Sequence, residues 1–231
     1  MQNICNIAII IARKGSRRIK NKNIINFFGK PIIYYSIYEA KKTKIFDKII
    51  ISTDSKKIKR IAEKYGAISF GLRPKKMSRD CISTIDVISY ELKNLLKRKI
   101  KPVNICCIYP AAPLISHKDI KTAYKMIKNN NFNYVFSAGA YQSFSANSFN
   151  KTRNKNKIKL LFNSKQRENI KTMDKVYYDA AQFYWGKYSA WIKKKRIFSE
   201  SSAFVEVKRH RLQDINTYED LTFAKKLFKI T

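Results

Sequence analysis

Eleven residues near the amino terminus, Arg13 to Asn23, contain six cationic side chains and no acidic one. The first carboxylate in the chain is Glu39. Gly15 and Ser16 sit inside this cationic run. Backbone N–H groups and a Ser hydroxyl donate to phosphate oxygens, and Arg13, Arg17 and Lys22 supply charge, so the segment can hold a polyphosphate. The alternative is a solvated basic loop in a basic protein. Neither GxxxxGK(S/T) nor GxGxxG occurs, which excludes a Walker loop and a dinucleotide fingerprint. Asp214 and Asn216 are two oxygen ligands two residues apart. On an extended segment they point the same way and can share a divalent cation; the competing role is a turn before a helix capped at Thr217. Asp54 suits a helix cap, or contact with a base or ribose. Arg73 precedes Ser83 and Thr84, which open a helix and suit an anion. Tyr109 ends a strand. Gln182, Phe183, Tyr184 and Trp185 offer aromatic faces and one amide, for a ligand or for the core. Neither His117 nor His210 lies in these segments, which argues against a His-activated nucleophile.

The surrounding pattern must bring these segments together. Ile4 to Ala12, Lys48 to Thr53, Ala67 to Phe70, Val103 to Tyr109 and Tyr134 to Ala140 read as strands. Helices follow Pro31 to about Lys42, Ser55 to Tyr65 with Gly66 as its stop, and the stripe Ile82, Ile85, Ile88, Leu92, Leu95, Leu96. Another contains Ile120, Ala123, Tyr124 and Ile127. Such alternation predicts an α/β fold, a mostly parallel sheet covered by helices. Parallel strands place their carboxyl ends on one edge, where ligands bind. Residues 141–177 break the alternation and are too long for a plain connection. They are expected to form a lid, an insertion or an arm ordered by a partner. Ala203 to Val207 reads as a last strand. Thr217 with Asp220 predicts a capping box for a final helix, with Leu221, Ala224, Leu227 and Phe228 inward.

The 231 residues fit a single domain, 1–231, with 45% apolar residues, too many for a disordered chain. No apolar run reaches a membrane span of roughly 18 residues, and the first residues lack a signal-peptide pattern, so the cytoplasm is the expected compartment. Four cysteines without a CxxC pair predict free thiols rather than a zinc site. The net charge of +33 first suggests a nucleic-acid partner. However, Lys, Ile and Asn, all with A/T-rich codons, make up 88 of the 231 residues, and only 12 of the 49 cations are Arg. Lys spread over helix faces points to codon bias, not to a clustered phosphate-contacting surface.

Several segments together resemble one family, the cytidylyltransferases that activate nine-carbon 2-keto sugar acids. "IIIARKGSRRIKNKN" resembles the family's nucleotide loop, I-x-A-R-x-G-S-K-x(4)-K-N. "FFGKPIIYYSI", "IIISTDSKKI", "FGLRP", then Ser83-Thr84 and "QDINTYED", follow in the family's order. The segment Tyr177 to Gly186 is similar to the Y-x-D-A-G-Q-F-Y-W of members acting on pseudaminic acid, and Tyr109-Pro110-Ala111-Ala112 departs from the L-Q-P-T-S-P-L-R of sialic acid members. The resemblance implies a Rossmann-like sheet of the nucleotide-diphospho-sugar transferase type, and a reaction of CTP with a nonulosonic acid to give the CMP-sugar and pyrophosphate. The product would serve surface-glycan or flagellin glycosylation. N-acetylneuraminic and legionaminic acids are the alternative sugars. It further implies that Arg13, Ser16, Arg17 and Lys22 hold the phosphates, and that Ala12, Asn23, Arg73 and Thr84 line the cytidine. Tyr109, Gln182, Phe183 and Tyr184 would meet the sugar. Asp214 and Asn216 would hold Mg²⁺, and Arg13, Lys22 and Asp214 would be the catalytic set. A homodimer is implied, with 141–177 reaching the neighbour and Arg167 facing its substrate. No membrane and no specific nucleic acid is expected as partner. Four departures stand out. Asn216 replaces the second Asp of the family's D-x-D-T, Lys14 occupies a slot often filled by Gly, Ala181 replaces Gly in the aromatic segment, and Ala111 replaces Thr. The Asn raises the possibility of a folded but weakened relative.

Overall fold

The computed structural model describes residues 2–141, 148–151, 158–171 and 175–231. In chain order the elements are β1 (Gln2–Ile11), β2 (Asn26–Phe27), β3 (Lys30–Pro31), α1 (Ile33–Thr43), β4 (Lys48–Ser52), α2 (Lys56–Lys64), α3 (Thr84–Lys97), β5 (Ile100–Ile108) and α4 (His117–Asn129). There follow β6 (Tyr134–Ala140), β7 (Phe149–Lys151), β8 (Ile158–Leu160), α5 (Ser164–Lys171), β9 (Tyr177–Lys187), α6 (Tyr188–Ile192), β10 (Ser202–Glu206) and α7 (Tyr218–Phe228).

Six strands form one sheet in the order β10-β6-β9-β5-β1-β4. Its pairs are parallel except those made by β9, which is antiparallel to β5 and β6. The Ile-rich strands are buried on both faces, as expected under helices on each side. Alternation divides them between two cores. Ala8, Ile10, Cys106, Ile108, Phe183 and Trp185 meet one set of helices, with Ile37 of α1, Ile58 of α2 and Ile120 of α4. Ile7, Ile9, Ile105, Cys107 and Tyr184 meet the other, with Ile88 and Leu92 of α3 and Trp191 of α6. Cys106 and Cys107 thus point to opposite faces, and with Cys81 they are free thiols. A third cluster joins Ile19 of the first loop to Phe27, Ile32, Ile215 and Leu221. It ties the cationic loop to the carboxyl-terminal segment.

Several local expectations need correction. Ala67–Phe70 contributes only one bridge, Ile50 to Ile68, because the chain leaves the sheet edge at the exposed Gly71 turn. Ile82 precedes α3, which starts after its Ser83 cap, and Leu96 is exposed. The cap of α2 is Ser55, whose Oγ accepts from the Ile58 N–H at 3.3 Å. Asp54 does not cap; its Oδ1 accepts from the Lys14 N–H at 2.8 Å instead. Strand β9 and helix α6 were not foreseen. A strand buried on both faces shows no alternation, and Tyr177 to Lys187 mixes charge and aromatics without a periodic cue. Gly186 is required there: a Cβ would lie 2.4 Å from Trp191 Nε1. The described part of 141–177 holds the antiparallel β7–β8 pair, α5 and the start of β9; residues 142–147, 152–157 and 172–174 lie outside the described residues. The capping box at Thr217 and Asp220 forms, with Leu221 and Ala224 buried. Among the described residues no helix is long and apolar enough to cross a membrane.

Candidate functional site

A cavity of about 650 Å³ opens at the carboxyl edge of β1, β4 and β5. That volume suits a small-molecule ligand. Six cations reach its wall: Arg13, Arg17, Arg18 and Lys22 from the first loop, with Arg73 and Arg79 from the connection between α2 and α3. The wall carries two carboxylates, Asp80 and Asp214.

The first loop is held from inside. The Ala12 N–H donates to Ser52 O at 2.9 Å, continuing the β1–β4 ladder. Buried Asn23 donates Nδ2–H to the Arg13 carbonyl at 2.8 Å, closing the loop on its own start. Ile19 is buried beside Ile215, which brings the loop against the 214–216 segment. As a result Lys22 Nζ donates to Ile215 O at 2.6 Å, and Arg18 Nη2 donates to Asn216 Oδ1 at 2.7 Å. Burial pushes the Lys22 ammonium below its usual range, and the nearby Asp214 carboxylate partly restores it. Asn216 Nδ2 donates to Asp214, so the two predicted metal ligands do lie side by side. The Asn216 and Thr217 N–H groups both donate to Asp220 Oδ2, at 2.9 and 2.7 Å, which fixes this segment to the start of α7.

Opposite, Arg73 is buried yet reaches the wall. Its Nε donates to Ser78 Oγ at 3.0 Å and its Nη1 to Ser52 Oγ at 3.1 Å; Ser52 in turn donates to Glu91 at 2.6 Å. Burial lowers the Arg73 pKa and raises that of Glu91, and each charge partly compensates the other. Asp80 pairs with both Arg13 and Arg17, the latter at 2.6 Å. The hydrogen bond from Arg13 holds the Asp80 carboxyl below its usual range.

Of the residues to which the resemblance gives a ligand role, Arg13, Ser16, Arg17, Lys22, Asn23, Arg73, Thr84, Tyr109, Asp214 and Asn216 line this one cavity. Four do not. The Ala12 side chain is in the core, because strand alternation turns it toward α1 while its neighbour Ile11 faces the cavity. Phe183 is also fully buried on that sheet face, so its ring is a core residue and not a sugar contact. Gln182 is buried, donating Nε2–H to Arg211 O at 2.6 Å. Tyr184 stands behind the wall, its ring 5.4 Å from that of Tyr109. Residues that sequence reasoning left without a role are Arg18, Arg79, Asp80, Glu91, Asp179 and Ala181. The adjacent Arg79-Asp80 pair, just before the Ser83 cap, was the available signal for two of them. His117 is bound to Glu39 at 2.7 Å and lies outside the wall.

The fold and this cleft define an α/β nucleotide-binding protein with a phosphate-sized cluster of cations facing an Asp–Asn pair. The chain belongs to the cytidylyltransferase family, whose model matches residues 7–228. It is 35% identical over 230 residues to a Campylobacter jejuni protein named pseudaminic acid cytidylyltransferase, covering 100% of this chain and 97% of that one. It is 38% identical over 218 residues to a Helicobacter pylori protein named pseudaminic acid cytidylyltransferase and UDP-2,4-diacetamido-2,4,6-trideoxy-beta-L-altropyranose hydrolase, covering 90% of this chain and 40% of that one. In fold it is similar to a CMP-2-keto-3-deoxy-manno-octonic acid synthetase solved with CTP, with a TM-score of 0.71, 13% identity, and coverage of 98% and 99%.

Proposed function

We propose that this chain transfers the cytidylyl group of CTP to a nonulosonic acid, with pseudaminic acid as its sugar, and releases pyrophosphate. The observation that carries this reading is the convergence of Arg13, Arg17, Arg18 and Lys22 on the Asp214–Asn216 pair in one cavity. The full-length similarity to the Campylobacter jejuni relative supports the choice of sugar.

In the reaction, the anomeric hydroxyl of the acid attacks the α-phosphorus, the bond to the bridging oxygen breaks, and pyrophosphate leaves. The protein's task is placement and charge neutralisation more than covalent help. Arg13, Arg17 and Lys22 hold the phosphate oxygens, and Lys22 is fixed by Ile215 O so that its charge faces the same site as Asp214. Displacing Asp80 frees both arginines for that purpose. Asn23 and Arg73 close the nucleoside end, and Thr84 and Tyr109 its neighbouring wall.

Mg²⁺ fits the donor set. The Asp214 carboxylate and the Asn216 amide are hard ligands lying side by side, joined by the Asn216 N–H with its oxygen on Arg18, so both bonds would give way to the cation, which accepts few protein oxygens when phosphates supply others. When bound, it neutralises the α-phosphate and lowers the pKa of the attacking hydroxyl. Asn216 contributes one negative charge less than Asp would, which predicts weaker cation binding.

The reading also includes a homodimer in the cytoplasm. Exposed Phe149, Leu160 and Leu161 on the 141–177 excursion favour a second copy there. Incubation with CTP, Mg²⁺ and pseudaminic acid, followed by pyrophosphate release, tests the reading. A panel of nucleotides crossed with pseudaminic, legionaminic and neuraminic acids tests the sugar. Absence of a CMP-sugar with every acid would overturn it.

A further inference from the structure

Of the six cations in the cavity wall, Arg73 alone is buried, with 5% of its surface exposed. A guanidinium in that position needs acceptors and a counter-charge. Its main-chain N–H donates to Thr53 O at 2.8 Å, which ties the residue to the end of β4. Its Nε donates to Ser78 Oγ at 3.0 Å and its Nη1 to Ser52 Oγ at 3.1 Å. Ser52 is buried as well, and donates to Glu91 Oε1 at 2.6 Å. A guanidinium has donors and no acceptor, so the Ser52 oxygen receives from Arg73 and the single Ser52 proton is left for Glu91. Arg73 Nη2 takes no hydrogen-bond partner among the described residues and remains for a ligand.

Neither Ser52 nor Glu91 lines the wall; Glu91 stands on α3, behind it. A ligand that displaces Asp80 from Arg13 and Arg17 therefore leaves Glu91 where it is. The two ends of the cavity differ for this reason. The first loop presents cations whose carboxylate partner is itself in the wall and open to displacement. Arg73 presents a guanidinium already answered from behind. We propose that Glu91 is a positioning residue for the nucleoside: through Ser52 it holds the Arg73 guanidinium in the wall and offsets its charge, so that this end takes a neutral hydrogen-bond acceptor, such as the carbonyl edge of a pyrimidine, and leaves the phosphates to the first loop. A nucleotide then enters in one orientation. The inference rests on the CTP-dependent reading and deepens it.

Two variants test it. Glu91→Leu removes the acceptor and the charge at similar volume, and Ser52→Ala cuts the same link with Glu91 left intact. Calorimetry measures the Kd of CTP and that of inorganic pyrophosphate, which has no nucleoside. We expect Glu91→Leu to weaken CTP about tenfold while pyrophosphate affinity does not fall. Ser52→Ala shifts CTP in the same direction. In turnover, KM for CTP rises by the same factor and kcat changes by less than about twofold, the split expected when a contact common to ground and transition state is lost. A merely structural role would weaken both ligands together and lower kcat. A folded Glu91→Leu variant with unchanged CTP affinity overturns the inference, as does one that loses pyrophosphate as much as CTP. Should Glu91→Leu fail to fold, Ser52→Ala decides on the same contrast. Those results sink this inference alone, whereas a wild type that binds no CTP sinks the function reading beneath it.

Discussion

Lys22 Nζ and the main-chain oxygen of Ile215 are 2.6 Å apart, across 193 residues of sequence. This bond seats the last cation of the first loop beside Asp214, so one lysine faces both the proposed phosphate site and the proposed cation site.

Lys22→Met is expected to weaken CTP and pyrophosphate binding by about tenfold or more, since a charge-assisted contact is lost. Burial lowers the Lys22 pKa below the ordinary lysine value. Its ammonium is therefore lost at a lower pH than in the unfolded chain. Triphosphate affinity should fall on an alkaline limb that begins below the usual lysine range. The sign for stability is opposite: the native state binds this proton less tightly, so the cost of burying the charge is relieved as pH rises through the native pKa. Calorimetric CTP titrations across pH check this, and the Met variant should lack the limb.

Asn216→Asp places a second carboxylate beside Asp214 and removes the amide donor that now bridges them. Without a divalent cation the pair repels, and the melting temperature should drop by about a degree or more. With Mg²⁺ it should recover and exceed the wild-type shift, with tighter Mg²⁺ binding in turnover. Equal Mg²⁺ dependence in both proteins would show that Asp214 suffices alone.

Ala181 occupies a backbone region where a Cβ costs about 1–2 kcal/mol, at φ 50°. Ala181→Gly removes that strain but adds unfolded-state freedom worth roughly 0.4–1 kcal/mol. A net stabilisation of roughly 0.5–1 kcal/mol is expected, raising Tm by about 1–4 °C for a chain of this size. Thermal unfolding followed by circular dichroism measures it.

Asp80 neutralises Arg13 and Arg17 in the absence of ligand. Asp80→Asn leaves both guanidinium groups available, so inorganic pyrophosphate should bind several-fold more tightly at low salt. The gain should shrink as salt screens the added charge. A weaker pyrophosphate affinity in the variant would mean that Asp80 supports the ligand and does not compete with it.

Much of the fold was legible because its signals are local. The apolar Ile runs of β1, β4 and β5 and the Thr217–Asp220 capping box each depend on residues a few positions apart, whereas the cap expected at Asp54 falls one residue later, at Ser55. The cationic loop and the Asp214–Asn216 spacing were equally plain. Strand β9 was not, because a strand buried on both faces carries no alternation and its antiparallel insertion between β5 and β6 depends on partners far along the chain.

By itself, then, the sequence determined most of the strand–helix order through β6, the cationic first loop and the spacing of Asp214 and Asn216. Only the tertiary structure decided which side chains share the cavity. Alternation about a sheet turns Ala12 and Phe183 into the core while leaving Ile11 and Tyr109 on the ligand side. It also decided that Asp80 meets Arg13 and that Glu91 reaches Arg73 through Ser52. The physical reason is distance along the chain. A charge's partner is set by groups tens of residues away, and no local spacing encodes that meeting.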